Sequence, residues 1–277
     1  MSNLTTKPNQ DRAVCLSPLA GREEWSLFFV ADGHGPHGHL VSEFVSSRLP
    51  DALQRTASKA KLPRPSASKK SAWLSKYATC VRDAIARVAE DLRGELGGVS
   101  QESGCTLCGM WVVHEVGIVF NVGDSRALYV VSDREHIQIT RDHKPDDERE
   151  AARIRKHRGY VGKHVRDSPP RLWSSSKMEE PGLALSRALG DFAAHKCGLT
   201  YLPAISTTTF TRGWVVIATD GLWDYVDNVE VAALSRGART PKAYGDKIMA
   251  RQLAASDGGY RDDCTVVVVS AERFAPS

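Results

Sequence analysis

Several things are missing from this 277-residue sequence. No uninterrupted apolar run approaches the roughly 18 residues that a membrane-spanning helix needs. The start, Met1-Ser2-Asn3-Leu4-Thr5-Thr6-Lys7, has no apolar stretch of the kind a secretory leader carries, and neither a Gly at position 2 nor a Cys near Ser277 offers a lipid-anchor motif. Membrane partners are therefore not expected. Six cysteines are too few for a disulfide scaffold, which points to a reducing cytoplasmic and/or nuclear setting. Neither charge sign dominates: 37 Lys and Arg stand against 33 Asp and Glu, and a net +4 gives no argument for nucleic acid. There is no internal repeat, which removes solenoids and propellers.

What is present is ordinary for one globular domain, with 42% hydrophobic and 25% charged residues, so a single domain over 1–277 and a monomer are expected. Residues 25–31 form an aromatic and β-branched run that stops at Asp32-Gly33, as a buried strand meeting a turn does. Residues 40–49 look helical, with Pro50 expected to end or kink the helix. Residues 57–71 are basic and rich in Ser and Pro, and read as a surface loop. Leu74, Tyr77, Val81, Ile85, Val88 and Leu92 recur at steps of three and four, the stripe of a helix that Gly97-Gly98 closes.

Short β-rich runs follow at 107–114, 117–122, 127–131 and 136–139, spaced like hairpins of an antiparallel sheet. Residues 146–157 are helix-prone, and 160–180 lack any period and read as an exposed flap. A strand at 214–218, helices at 228–234 and 241–253 and a last strand at 265–270 complete the chain. Strands and helices come in groups, which argues for α+β with antiparallel sheets.

Five aspartates sit where a predicted buried strand meets a turn or loop: Asp11, Asp32, Asp124, Asp220 and Asp262. A single Asp there is ordinarily a turn former. If the strands share one sheet edge, however, the carboxylates converge, and like charges so close need a compensating cation. Hard oxygen donors favour Mg²⁺ or Mn²⁺. Two other chemistries are weaker. The run Gly123-Asp124-Ser125-Arg126-Ala127 falls one residue short of a serine-hydrolase elbow and leads into β-like 128–131 rather than the required helix. Cys105-Thr106-Leu107-Cys108 is a lone pair of thiols, where structural zinc needs paired knuckles.

The ordered series Asn9-Gln10-Asp11-Arg12, Asp32-Gly33-His34-Gly35, Gly104-Cys105-Thr106, Asn121-Val122-Gly123-Asp124-Ser125-Arg126-Ala127, Asp142-His143-Lys144-Pro145, Leu183 to Asp191, Ala218-Thr219-Asp220-Gly221-Leu222-Trp223-Asp224 and Arg261-Asp262-Asp263-Cys264-Thr265-Val266 resembles the successive motifs of PP2C-type, metal-dependent Ser/Thr protein phosphatases. The resemblance implies an α/β/β/α sandwich of two antiparallel sheets flanked by helices. It also implies phosphoprotein substrates and a binuclear Mg²⁺ or Mn²⁺ site, with hydroxide between the metals attacking phosphorus directly. In that pattern Asp32 bridges both metals, the Gly33 carbonyl binds one, and Asp220 and Asp262 bind the other. Asp11 supports them through water, and Asp124 and Asp224 join Asp220 around a third, weaker ion. His34 looks like the general acid that protonates a poor alkoxide leaving group. Beside metals its imidazole calls for a carboxylate partner that the sequence does not name. Thr106 and Ser186-Arg187 match positions of structural support.

The chain also departs from the pattern. Gln10 stands where many members carry a metal-contacting Glu, and weaker metal binding is expected from it. Thr6 stands where many carry a phosphate-binding Arg, so Lys7 and Arg12 become candidate substitutes. The flap at 160–180 differs from shorter relatives and bears on substrate choice. The cations of the basic loop and of 153–158 are candidate attractors of acidic segments. Gln10 and Thr6 keep a second reading open, a phosphatase-like fold that binds a partner without turnover, while the intact aspartates and His34 favour an enzyme.

Overall fold

A computed structural model describes residues 8–65, 70–166, 168–256 and 262–274. In chain order, β1 (Asp11–Leu16) pairs antiparallel with β2 (Trp25–His34), and two long helices follow, α1 (Gly38–Ala60) and α2 (Lys70–Glu95). After the short β3 (Gly104–Cys105), β4 (Leu107–Val113) and β5 (Val116–Val122) form one hairpin, and β6 (Arg126–Val130) and β7 (His136–Gln138) another. Helix α3 (Glu148–Lys156) leads to β8 (Tyr160–Gly162), β9 (Arg171–Trp173) and β10 (Pro181–Leu183), and then to β11 (Leu189–Gly190). Past a 3-10 helix, Phe192–Cys197, come β12 (Ala204–Thr209), β13 (Trp214–Ala218), α4 (Asp220–Trp223), α5 (Asn228–Leu234), α6 (Pro241–Ala255) and β14 (Val266–Ser270).

One sheet runs β11-β3-β2-β4-β5-β12 with β1 also on β2, and a second runs β14-β13-β6-β7. Alternation along the strands builds three apolar layers. From the first sheet Phe28, Val30, Met110, Val112 and Val119 face Tyr129, Val215, Ile217, Val267 and Val269 of the second. The opposite faces of the same strands, Leu27, Phe29, Trp111 and Phe120, pack on Val41, Val45, Tyr77, Ile85 and Leu92 of α1 and α2. Behind the second sheet, Leu128, Val216 and Ala218 meet Val231, Tyr244 and Ile248 of α5 and α6. The expected α+β sandwich with helices outside both sheets is the observed fold.

Three local expectations change. Helix α1 continues through Pro50, because Leu49, Leu53 and Ala57 form one buried stripe on both sides of it, and the carbonyl freed by the missing N–H belongs to the half-exposed Ser46. The same stripe carries α1 to Ala60, so the stretch expected to be loop from 57 begins at 61; α2 starts at Lys70, and residues 66–69 lie outside the described ones. The flap at 160–180 contains regular structure. β8, β9 and β10 make a three-stranded sheet whose Leu172 joins a small core with Ile154, Leu185, Cys197 and Leu199. At three residues each, those strands are too short to show a period in sequence.

Candidate active site

Register alone brings the strand-end aspartates to one end of the sandwich. Asp11 opens β1 directly opposite Asp32 near the end of β2. In the second sheet Ala218 is aligned with both Arg126 and Val266. The turn before β6 (Asp124), the residue after β13 plus one (Asp220) and the approach to β14 (Asp262) therefore meet at the same edge. Asp224 follows Asp220 by four residues across α4, which puts both carboxylates on one side. Asp32, Asp124, Asp220, Asp224 and Asp262, with Gln10, Gly33 and His34, line a single cavity of about 1020 Å³; Asp11 stands behind it, buried.

The local sequence holds these groups. Thr106 Oγ1 accepts the Asp32 N–H at 3.1 Å and lies 2.7 Å from Ser125 Oγ, tying β2 to the turn that carries Asp124. Gly123 takes φ +102° in that turn, and a Cβ there would fall 2.7 Å from Thr106 Cγ2. Gly123 N–H donates to Nδ1 of the buried His143, whose burial pushes its pKa down to about 4, so this ring is a neutral acceptor. Gly33 cannot be replaced by a larger residue, since its Cβ would meet Gly38 O at 2.5 Å and Gln10 O at 2.6 Å. Across the seam between the sheets Thr219 Oγ1 donates to Asp11 Oδ2 at 2.9 Å, and Gln10 N–H to Asp263 Oδ2 at 2.8 Å.

Burial, then the charges of Asp220 and Asp11, push Asp32 well above the usual carboxylate range, and the neighbouring Asp220 side chain adds to the rise. Burial drives Asp220 up to about 7, with the charge of Asp124 adding to it. Burial drives Asp11 up to about 6 against hydrogen bonds from Thr219 and Thr265. Asp224 also rises, chiefly by burial. Neighbouring carboxylates need a proton or a cation between them. Asp11 Oδ1 and Asp220 Oδ1 are moreover buried with no partner among the described residues, and the donor set fits a hard divalent cation. Among the described residues no three His, Cys, Asp or Glu side chains enclose one ion by themselves. A shell here would be completed by a backbone carbonyl such as that of Gly33 and by water, as suits an ion that dehydrates reluctantly.

The carboxylate partner that His34 called for is Asp191, whose Oδ2 lies 2.6 Å from His34 Nε2. Burial works against the imidazolium, but the charge and hydrogen bond of Asp191 outweigh it, and the His34 pKa is raised. Asp191 closes one of the matched motifs, yet nothing in the spacing links it to a histidine 157 residues away. Lys144 Nζ contacts Asp124 Oδ2 and also lines the cavity, with Arg171 and Lys196 further along its walls.

The phosphate-binding candidates fare differently. Arg12 is turned away onto α1: Nε pairs with Glu43, and Nη1 donates to the carbonyls of Asn9 and Asp11. It does not line the cavity, because its alternating position on β1 faces the helix side. Lys7 and Thr6 lie outside the described residues, as does Arg261. Gln10 is buried and donates Nε2–H to Gly35 O at 3.1 Å, bracing the turn after His34. Arg153, offered above as a surface attractor, is instead engaged with Glu150 and the carbonyls of Ser186 and Gly198. Ser186 and Arg187 do give structural support, both bonding to Glu150.

The family described as Protein phosphatase 2C matches residues 3–256. "Probable protein phosphatase 2C 64" of Oryza sativa subsp. japonica is 32% identical over 94% of this chain and 61% of its own length. "Probable protein phosphatase 2C 72" of Arabidopsis thaliana is 33% identical over 90% of this chain and 75% of its own. The chain thus spans about three fifths of the length of the rice relative. Among solved structures, a serine-threonine phosphatase 2C from Toxoplasma gondii superposes with a TM-score of 0.78 at 24% identity, covering 95% of this chain and 90% of that one, a likeness of fold. The order of motifs from residue 9 to 266, the paired antiparallel sheets and a family match over nearly the whole chain agree, and the chain belongs to the protein phosphatase 2C family.

Proposed function

We propose that the chain hydrolyses phosphoserine and phosphothreonine esters of proteins at a binuclear Mg²⁺ or Mn²⁺ site, without a phosphoenzyme. The observation that carries this is the gathering of Asp32, Asp124, Asp220, Asp224 and Asp262 around one cavity, beside buried oxygens of Asp11 and Asp220 that have no partner among the described residues. Two bound divalent ions supply Lewis acidity towards phosphate oxygens and a water acidic enough to ionise near neutral pH.

The residues would divide the work as follows. Asp32 and the Gly33 carbonyl hold the ions at the end of β2, Asp220 and Asp262 hold one from the second sheet, and Asp11 orients water from behind. Asp124 and Asp224 offer a third, weaker position with Asp220, where Lys144 already provides one positive charge. His34 donates a proton to the departing Ser or Thr oxygen. Lys144, Arg171 and Lys196, the cations lining the cavity, replace Arg12 as contacts for phosphate or an acidic flank. A monomer in a reducing compartment suits the cysteines Cys15, Cys80, Cys105, Cys108, Cys197 and Cys264, which are all free thiols.

Phosphate release from phosphothreonine and phosphoserine peptides, with Mn²⁺ or Mg²⁺ and again with excess EDTA, tests the proposal. Metal-dependent release is expected. No release by folded protein with either metal would overturn it in favour of a binding role.

A further inference from the structure

We infer that Asp191 is a positioning residue for the reaction: it fixes the His34 ring by its Nε2 edge, so that Nδ1 is the nitrogen left to protonate the leaving oxygen. This rests on the reading of His34 as the acid, but its own support is the side-chain-free strand position that the contact occupies. His34, Gly104 and Gly190 lie side by side in register across β2, β3 and β11. The central position of that row has no side chain, and it can have none. A Cβ on Gly104 would fall 2.2 Å from Asp191 Oδ2 and 2.8 Å from His34 Nε2, inside the space the pair occupies. Gly190 takes φ +89°, and a Cβ there would meet Ser103 O at 2.4 Å.

Asp191 itself is held in the left-handed region at φ 47°, a conformation costly for a residue with a side chain. Its N–H donates to Ser103 O at 3.0 Å and its carbonyl accepts from Ala194 N–H at 2.8 Å, which locks the strained peptide in place. The carboxylate is only 4% exposed. A residue serving merely as a turn would not need the cleared neighbour at Gly104. Helix capping is not its task either, since the Asp191 side chain makes no cap bond to the 3-10 helix that follows.

In the step, a water oxygen forms the new P–O bond as the bond from phosphorus to the Ser or Thr oxygen breaks. That oxygen keeps the electron pair and takes the proton from His34 Nδ1. Asp191 keeps Nε2–H directed at itself throughout, and the one proton that the attacking water gives up restores Nδ1.

The test compares the parent with Asp191→Asn, which tolerates the left-handed backbone and keeps the shape while losing the charge, and with Gly104→Ala, which leaves Asp191 intact and invades the contact. With saturating Mn²⁺, kcat on a phosphoserine peptide should fall about 10²-fold in both, with KM unchanged, while p-nitrophenyl phosphate, whose leaving group needs no proton, should change by about threefold or less. Asp191→Asn added to His34→Ala should cost nothing further. The proton NMR spectrum of the parent should show a downfield ring N–H that disappears in Asp191→Asn and in His34→Ala, a readout independent of turnover.

Equal losses on both substrates, additive losses in the double variant, or no such N–H in the folded parent would overturn the inference. An active parent with Asp191→Asn unchanged overturns this inference alone. A parent that releases no phosphate overturns the phosphatase reading and this one with it.

Discussion

Two places in this molecule bury carboxylates, and they treat them in opposite ways. At the sheet ends Asp11, Asp32 and Asp220 gather, two of their oxygens have no partner among the described residues, and their pKa values are driven up. Glu150 is buried too, yet both its oxygens are taken by Arg187, Arg153 and Ser186. Burial alone would raise Glu150, but these partners outweigh it and hold the pKa far below the usual range. Glu150 is finished within the chain: it joins α3 to Ser186-Arg187, and the same arginines reach on to the carbonyls of Gly198 and Leu202. The cluster at the sheet ends is left without such partners among the described residues. The difference shows that buried acids signal function when the chain leaves them unmatched, not when they are merely buried.

The largest expected effect breaks the first region without harming the fold. Asp32→Asn should reduce phosphate release by about 10³-fold or more. It should also abolish the Mn²⁺-induced rise in Tm, yet leave the metal-free protein at least as stable as the parent, because a like charge is removed. Full activity, or a metal-free protein clearly less stable, would contradict this. The mirror experiment is Glu150→Ala, which leaves the half-buried Arg153 and Arg187 without their carboxylate partner. It should cost about 3–5 kcal/mol in denaturant unfolding while the Mn²⁺-induced rise in Tm persists.

The comparison also predicts opposite pH slopes. Glu150 is more acidic folded than unfolded, so its stabilisation is complete above its ordinary value of 4.5 and is lost as pH falls below that. Asp11 and Asp220 rise from 3.8 to about 6 and about 7. In EDTA the folded protein keeps protons that the unfolded chain releases, so stability should fall as pH rises from about 4 to about 7. Saturating Mn²⁺ should flatten or reverse that second slope, and unfolding midpoints measured across the range would show it. The smallest effect concerns a corrected residue. Arg12→Ala removes an exposed pair with Glu43 and should change stability by about 1 kcal/mol at most, with KM for phosphopeptide unaltered.

Much of this was legible in the residues. The strands that carry Asp32 and Asp220 end apolar runs abruptly, so their place at strand ends was readable, while their sharing of one edge stayed a condition that only the resemblance of the motif series filled. β12 escaped because it is a half-exposed edge strand of Ala204, Ile205, Ser206 and three threonines, with no apolar alternation to read. The flap escaped because its order rests on one small core and on a bond from Trp173 Nε1–H to Gly162 O, not on a period. Asp191 and the true setting of Arg12 depend on which neighbours the fold supplies, information that a single chain does not carry locally.

The seam between the two sheets has a mechanical consequence. Asp11 and Asp32 ride on one sheet while Asp220 and Asp262 flank strands of the other and Asp124 lies in the turn between them, so the spacing of their carboxylates measures how the sheets are set against each other. A slip of one residue is about 3.3 Å, larger than a whole metal–oxygen bond of about 2.1 Å. The apolar filling between the sheets, Met110 and Ile217 among it, therefore works as the spacer of a caliper whose jaws are the aspartates. Thinning that spacer far from the cavity would blunt the choice between ions of different radius before it cost the chain its fold.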